Sequence, residues 1–129
     1  MDADGDQAQR AAPDSALHRL ATYGSLAPGR PNHHQLSGLA GTWIEGHVRG
    51  TLVDAGWGAS IGYPALILDP DAPTVAVHVF ESMDLPAQWQ RLDDFEGPGY
   101  ERAVTTVHTP QGTIKASIYV LGGRDHARA

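Results

Sequence analysis

The sequence contains no cysteine among its 129 residues. This absence excludes a disulfide framework, a thiolate zinc site and a cysteine nucleophile. Long apolar runs are also missing, since no stretch approaches the ~20 apolar residues that a membrane-spanning helix needs. The acidic N-terminal segment lacks the apolar region of a secretory signal. We therefore expect a soluble, cytoplasmic protein.

Basic residues are few: 9 Lys and Arg stand against 15 Asp and Glu, which gives a net charge of −6. This balance argues against nucleic acid or an anionic membrane as a partner. The length fits a single core. We predict a disordered acidic tail over residues 1–15, one domain over residues 16–122 and a frayed tail over residues 123–129. Nothing in the composition indicates an oligomeric state.

Glycine and proline are abundant, with 15 and 9 residues, which favours short strands and tight turns. Period-two patterns and turn signals predict an α+β protein in which a small, closed, mixed or antiparallel β-barrel carries one main helix and short flanking helices. One flanking helical turn is expected over residues 33–36, with Asn32 as its N-cap. The predicted strands cover residues 17–23, 42–53, 65–68, 75–80, 102–108 and 113–121.

The main helix is predicted between Asp84, its N-cap, and the stop signal Gly97-Pro98-Gly99. Leu85, Trp89 and Leu92 are spaced as one face of an α-helix, and the next position on that face is Glu96. Burial of a carboxyl group raises its pKa toward the range useful for proton transfer. Glu96 is thus the candidate general acid/base. The alternatives are that it turns outward into water or pairs with an arginine.

The segment from Tyr23 to Gly29 leaves the first strand through small residues. Gly24 and Ser25 can present consecutive backbone N–H groups, which would bind a carboxylate or an oxyanion. An ordinary surface turn has the same composition.

Other site types lack the required spacing. His33 and His34 are adjacent, so their side chains diverge, and the remaining histidines do not pair on one helical face; no metal site is expected. Ser25 and Ser60 lack the sequence context of a nucleophile elbow. Asp93 and its neighbour Asp94 are predicted to be solvated.

Two motifs in this order, Tyr23-Gly24-Ser25-Leu26 and Leu92-Asp93-Asp94-Phe95-Glu96-Gly97 followed by Tyr100, resemble the γ-glutamylcyclotransferase-like superfamily, which includes the AIG2-like proteins. Further similarity lies in residues 48–52, 62–66 and 118–120, so the resemblance covers about residues 22–121.

The resemblance implies a compact β-barrel whose cavity is lined by the loop Tyr23, Gly24, Ser25 and Leu26, with Glu96 as general acid/base. It also implies cyclisation of a small γ-glutamyl amine or peptide to 5-oxoproline, with no metal or cofactor. Such an enzyme is a C–N lyase or an acyltransferase. Tyr100 and Tyr119, the latter on the predicted polar face of the last strand, are candidate substrate contacts or packing residues.

Two other functions fit the same residues. One is a binding module that holds a small metabolite in the cavity without turnover, which an exposed Glu96 or its pairing with Arg91 or Arg102 would favour. The other is an amide or ester hydrolase in which Glu96 activates water. Hydrolysis would release free glutamate, whereas cyclisation releases 5-oxoproline.

Overall fold

The computed structural model describes residues 16–23, 33–54, 64–97 and 99–122. The predicted disordered and frayed tails, and the N-cap Asn32, lie outside these ranges. The elements are the strands β1 (Arg19–Thr22), β2 (Thr42–Asp54), β3 (Pro64–Leu68), β4 (Thr74–Glu81), β5 (Tyr100–Thr109) and β6 (Gly112–Leu121), the helix α1 (Trp89–Glu96), and 3₁₀ turns at His33–Gln35 and Leu85–Gln88.

The sheet has the strand order β3-β2-β4-β1-β6-β5, and an additional pairing of β2 with β5 closes it. Five strands therefore form a ring, and β3 extends from the second half of β2. The β1–β6 pair is parallel. The other pairs are antiparallel. This architecture confirms the predicted small mixed barrel with one main helix.

The long strand β2 makes closure possible because its two halves have different partners. Residues Thr42 to Arg49 pair with β4, whereas Gly50 to Asp54 pair with β3. At the seam, His47 pairs with His108 of β5. A Cβ added at Gly46 would lie 2.7 Å from the His108 carbonyl oxygen. The missing side chain at this position lets the two backbones approach closely.

Two apolar clusters hold the molecule together. The first fills the barrel with alternate residues of the strands, among them Val48, Val79, Val107 and Ile118. The second lies between the outer face of the barrel and the helical segment: Leu20, Leu36, Phe80, Leu85, Trp89, Leu92 and Tyr119. Because the helical segment covers this outer face, β6 is buried on both faces along its second half.

The helical segment differs from its prediction in two respects. It is a 3₁₀ turn followed by α1, rather than one helix beginning after Asp84. Asp84 makes no side-chain cap bond to this segment. Its carboxylate instead accepts a hydrogen bond from the backbone N–H of Ala40, at 3.1 Å. The cap prediction failed because Asp84 has helical dihedral angles (φ −85°, ψ −12°) and not the extended conformation of an N-cap residue.

Among the described residues, no helix is long and apolar enough to cross a membrane.

Candidate active site

Glu96 occupies the last position of α1, on the same face as Trp89 and Leu92, which are buried beneath the helix. The residue is half-buried. Burial raises the pKa of its carboxyl group to about 7, because the charged form is poorly solvated there. No lysine, arginine or histidine in the described ranges forms an ion pair with Glu96.

The end of α1 is fixed by Gly97, whose φ of 84° lies in the left-handed region that favours glycine. Its backbone N–H donates to the Asp93 carbonyl oxygen at 3.1 Å. The helix therefore ends directly after Glu96, as the sequence predicted.

The two arginines considered as partners of Glu96 have other partners. Arg91 donates to the side-chain oxygens of Gln88 and Gln35, both at 2.8 Å. Arg102 donates to both carboxylate oxygens of Asp93, at 2.9 Å through Nε and 3.2 Å through Nη2. Neither arginine neutralises Glu96.

Asp93 is thus an ion-pair partner, which the sequence did not predict, although its side chain remains 41% exposed to solvent. Its Oδ1 also accepts a hydrogen bond from the Tyr119 hydroxyl group, at a distance of 2.6 Å. Burial acts to raise the pKa of the Asp93 carboxyl, but the hydrogen bonds from Arg102 and Tyr119 outweigh it and hold the pKa below its usual value. Asp94 is exposed, as expected.

The Tyr119 side chain is 5% exposed and packs in the cluster beneath the helical segment. The expected polar face of β6 is therefore a buried face. Period-two alternation did identify which residues lie on that face, but the sequence could not show that α1 covers it.

Two further tyrosine hydroxyl groups form hydrogen bonds with backbone groups of β3, which is an edge strand paired with β2. The Tyr23 hydroxyl group accepts a hydrogen bond from the Leu66 backbone N–H at 3.0 Å and donates one to the Tyr119 carbonyl oxygen. Tyr100 donates to the Pro64 carbonyl oxygen at 2.8 Å. These hydroxyl groups stand where an edge strand would otherwise leave its N–H and C=O groups unpaired.

The charge of Glu96 contributes to the raised pKa values of two tyrosines, Tyr23 and Tyr119. Burial is the main cause that raises the Tyr23 pKa, and the charges of Tyr100 and Glu96 add to it. The pKa of Tyr119 is raised mainly by burial, then by its hydrogen bond to Asp93, with a further contribution from Glu96. Glu96 therefore lies within electrostatic reach of two tyrosines that belong to β6 and to the end of β1.

The structure thus brings four of the predicted site residues into one region: Glu96, Tyr23, Tyr100 and Tyr119. Gly24, Ser25 and Leu26 lie outside the described residues. The sequence reasoning missed Asp93 and Arg102 as a pair. Opposite charges nine positions apart across the helix stop were the only available signal, and it did not show that β5 turns back along α1.

Groups of three or more side chains able to hold a metal ion do not occur within the described ranges. His47 and His108 stack across the barrel seam with ring centroids 5.2 Å apart.

Comparison with known proteins gives the family. The model of the family "Gamma-glutamyl cyclotransferase, AIG2-like" matches residues 20–129. The chain belongs to this family. Among curated proteins, no significant match was found.

Several solved structures share the fold. YkqA from Bacillus subtilis is 27% identical over 81% of this chain, with a TM-score of 0.64, and the chain spans 35% of YkqA. An AIG2-like protein from Mus musculus is 26% identical over 80% of this chain and 76% of its own, with a TM-score of 0.61. The uncharacterized protein PH0828 from Pyrococcus horikoshii is 25% identical over 81% of this chain and 77% of its own, with a TM-score of 0.56.

Proposed function

We propose that the protein is a γ-glutamylcyclotransferase-type enzyme that converts a small γ-glutamyl amine or peptide to 5-oxoproline and a free amine. The observation that carries this proposal is the Glu96 carboxyl group, which is half-buried, has no cationic partner among the described residues and has a pKa raised to about 7. A group with this pKa exchanges its proton readily near neutral pH.

The proposed reaction needs no nucleophilic side chain. The substrate's own α-amine attacks its γ-carbonyl carbon, so both reacting groups belong to one molecule and the protein must hold them in a ring-closing pose. Glu96 takes a proton from the α-ammonium group. The new N–C bond closes the five-membered ring, the bond to the leaving amine breaks, and Glu96 returns the proton to that amine. The attacking nitrogen loses a second proton as it becomes the ring amide, and this proton leaves with the amine as an ammonium ion, so atoms and charge balance without a cofactor.

The tyrosines are proposed to shape the site. Their hydroxyl protons are already donated to acceptors of the protein, namely Asp93 and the carbonyl oxygens of Tyr119 and Pro64. We therefore assign Tyr23 and Tyr100 to substrate contact through ring faces and hydroxyl oxygens, rather than to stabilisation of an oxyanion. Tyr119, which is buried beneath the helical segment, is assigned to packing and to its hydrogen bond with Asp93. The loop Gly24, Ser25 and Leu26 is proposed to supply the backbone N–H donors for the substrate carboxylate or the developing oxyanion.

The alternative of a binding module predicted an exposed or arginine-paired Glu96. Both arginines named in that alternative bind other residues, and Glu96 is half-buried. The geometry accordingly supports the enzyme.

A mass-spectrometric screen of γ-glutamyl dipeptides and amines tests the proposal. We expect 5-oxoproline from at least one of them, and its loss in the Glu96→Gln variant. Glu101→Gln is the matched control, since Glu101 is an exposed glutamate on β5. Release of free glutamate would indicate hydrolysis, and binding without product would indicate a binding module. Either result contradicts the proposal.

A further inference from the structure

The Arg102 side chain is held against α1 by Asp93 and by Trp89, which lies one turn before Asp93. Its guanidinium carbon is 4.5 Å from the centroid of the Trp89 ring. Trp89, Asp93 and Glu96 follow one another along one face of α1, at intervals of four and three residues. The guanidinium is therefore held by the first two members of this row, and the third has no cationic partner among the residues that the structure describes.

Two kinds of interaction keep Arg102 in this position. The carboxylate of Asp93 accepts hydrogen bonds from two N–H groups of the Arg102 guanidinium. These two bonds fix the plane of the guanidinium as well as its location. The aromatic face of Trp89 attracts the cation from the other side. The indole N–H of Trp89 donates to the Leu17 carbonyl oxygen at 3.0 Å, which fixes the ring in turn.

Glu96 is the neighbour of Asp93 on the helix surface, three residues further along α1. Three residues along an α-helix correspond to about 4.5 Å of rise, which a small rotation of a long arginine side chain covers. A cation at that position would favour the charged form of Glu96 and remove its capacity to hold a proton near neutral pH.

We propose that Asp93 is a positioning residue that holds the Arg102 guanidinium against Trp89 and thereby keeps the Glu96 carboxyl free of a cation. In the described part of the site, the titratable groups that interact electrostatically with Glu96 are tyrosines, and none of them would hold the guanidinium in place of Asp93. These tyrosines are Tyr23, which directly follows β1, and Tyr119 of β6, and Tyr100 of β5 in turn interacts with Tyr23. Strand β3 contributes only proline, alanine, leucine and isoleucine.

This inference deepens the proposed function, and it is tested first without turnover. The protein is labelled with ¹³C at the glutamate carboxyl carbons, and the Glu96 resonance, assigned from the Glu96→Gln variant, is followed during a pH titration. In Asp93→Asn we expect the midpoint of Glu96 to fall by about 1–3 pH units, because the released Arg102 moves to Glu96.

Loss of the negative charge of Asp93 would by itself also lower this midpoint. The Arg102 side chain itself separates the two causes: in Asp93→Asn its ¹⁵Nε resonance, assigned from Arg102→Gln, should move with the Glu96 titration, and an Nε resonance that does not follow this titration would overturn the proposal. The double variant Asp93→Asn/Arg102→Gln then removes the Asp93 charge together with the cation. We expect the double variant to return the Glu96 midpoint to near the wild-type value. A double variant that stays as low as Asp93→Asn would overturn the proposal, as would an Asp93→Asn midpoint within about 0.3 pH units of wild type.

Asp94→Asn is the matched control, because it removes the same charge from the next residue, which is exposed. Its Glu96 midpoint should equal that of wild type. If Asp93→Asn does not fold, Asp93→Ser replaces it, and the same fall and the same recovery with Arg102→Gln are required.

Activity provides a second readout. If the chain releases 5-oxoproline, the acidic limb of its kcat/KM profile should move with the Glu96 midpoint in each variant. A chain without such activity would refute the proposed function, whereas the carboxyl titration would still decide whether Asp93 controls the position of Arg102.

Discussion

Asp93 and Glu96 lie one turn apart on α1, and their carboxyl groups have pKa values shifted in opposite directions. Asp93 binds an arginine and a tyrosine hydroxyl group, whereas Glu96 is desolvated without an ion-pair partner among the described residues. Two similar side chains on one short helix therefore have different chemistry because their surroundings differ. An ionised carboxylate organises the helix end, and a carboxyl near neutrality is left to exchange protons.

Replacing Glu96 by glutamine should lower kcat by ~10² or more, because the reaction loses its acid/base group while the shape of the side chain is kept. Steady-state rates of 5-oxoproline release measure this, and circular dichroism checks that the fold is unchanged. Turnover within tenfold of wild type would exclude the assigned role.

The pH dependence of kcat/KM should report the ionisation of Glu96. The proposed reaction begins with a proton transfer to the carboxylate, so kcat/KM should rise with pH and level off above a midpoint near pH 7. Initial rates at constant ionic strength between pH 5 and 9 provide the profile. A midpoint near 4.5, the ordinary value for a glutamate, would show that Glu96 is solvated.

Glu96 should also make stability depend on pH. Its pKa is about 7 in the folded protein, against 4.5 for a glutamate in water. The folded state thus binds more protons between these values, and the free energy of unfolding falls as pH rises through this window. Glu96→Gln has no such dependence, so its stability relative to wild type should increase by as much as ~3 kcal/mol between pH 4.5 and 8. Urea denaturation at several pH values measures the difference, and parallel stability curves for the two proteins would contradict it.

Removing the Tyr23 hydroxyl group should destabilise the fold. Tyr23→Phe leaves the Leu66 N–H and the Tyr119 carbonyl oxygen without their partner, which should cost about 1–3 kcal/mol in the free energy of unfolding. Tyr100→Phe removes one hydrogen bond to the Pro64 carbonyl oxygen and should cost about 0.5–1.5 kcal/mol. Urea denaturation of both variants tests the order, and a larger loss for Tyr100→Phe would contradict the role given to Tyr23.

The barrel seam should be sensitive to a single methyl group. In Gly46→Ala the new Cβ would meet the His108 carbonyl oxygen and the Val107 side chain, both at 2.7 Å, so the strands must separate at a cost of about 1–3 kcal/mol. Gly38→Ala is the control, because a Cβ there has no neighbour within 4 Å. Thermal melts should show a lower Tm for Gly46→Ala than for Gly38→Ala, and equal values would mean that the seam relaxes freely.

The strands were the most predictable part of the fold, because their signals are local. Alternation in the β4 segment and the turn signal at Pro110 and Gln111 between β5 and β6 predicted elements that the structure confirms. The boundaries of β1 were less accurate. It begins at Arg19 rather than Leu17, because Ala16 and Leu17 are helical, and the Leu17 carbonyl oxygen accepts a hydrogen bond from the indole of Trp89.

Of the candidate site, only the position of Glu96 on the helix could be predicted from the sequence. The helical row that ends in Glu96 is visible in the sequence, and so is the glycine that stops it. The partner of Asp93 was not predictable, because it depends on the register with which β5 returns along α1. The buried position of Tyr119 depends in the same way on which face of the barrel the helix covers. Both are long-range facts that no local pattern contains.

The stop at Gly97 has one more consequence for Glu96. The peptide dipoles of a helix add up to a partial negative charge at its C-terminal end, where the last carbonyl groups lack partners. Glu96 is the final residue of α1, so this field also opposes its ionisation. The glycine that ends the helix therefore helps to determine how firmly the neighbouring side chain holds its proton.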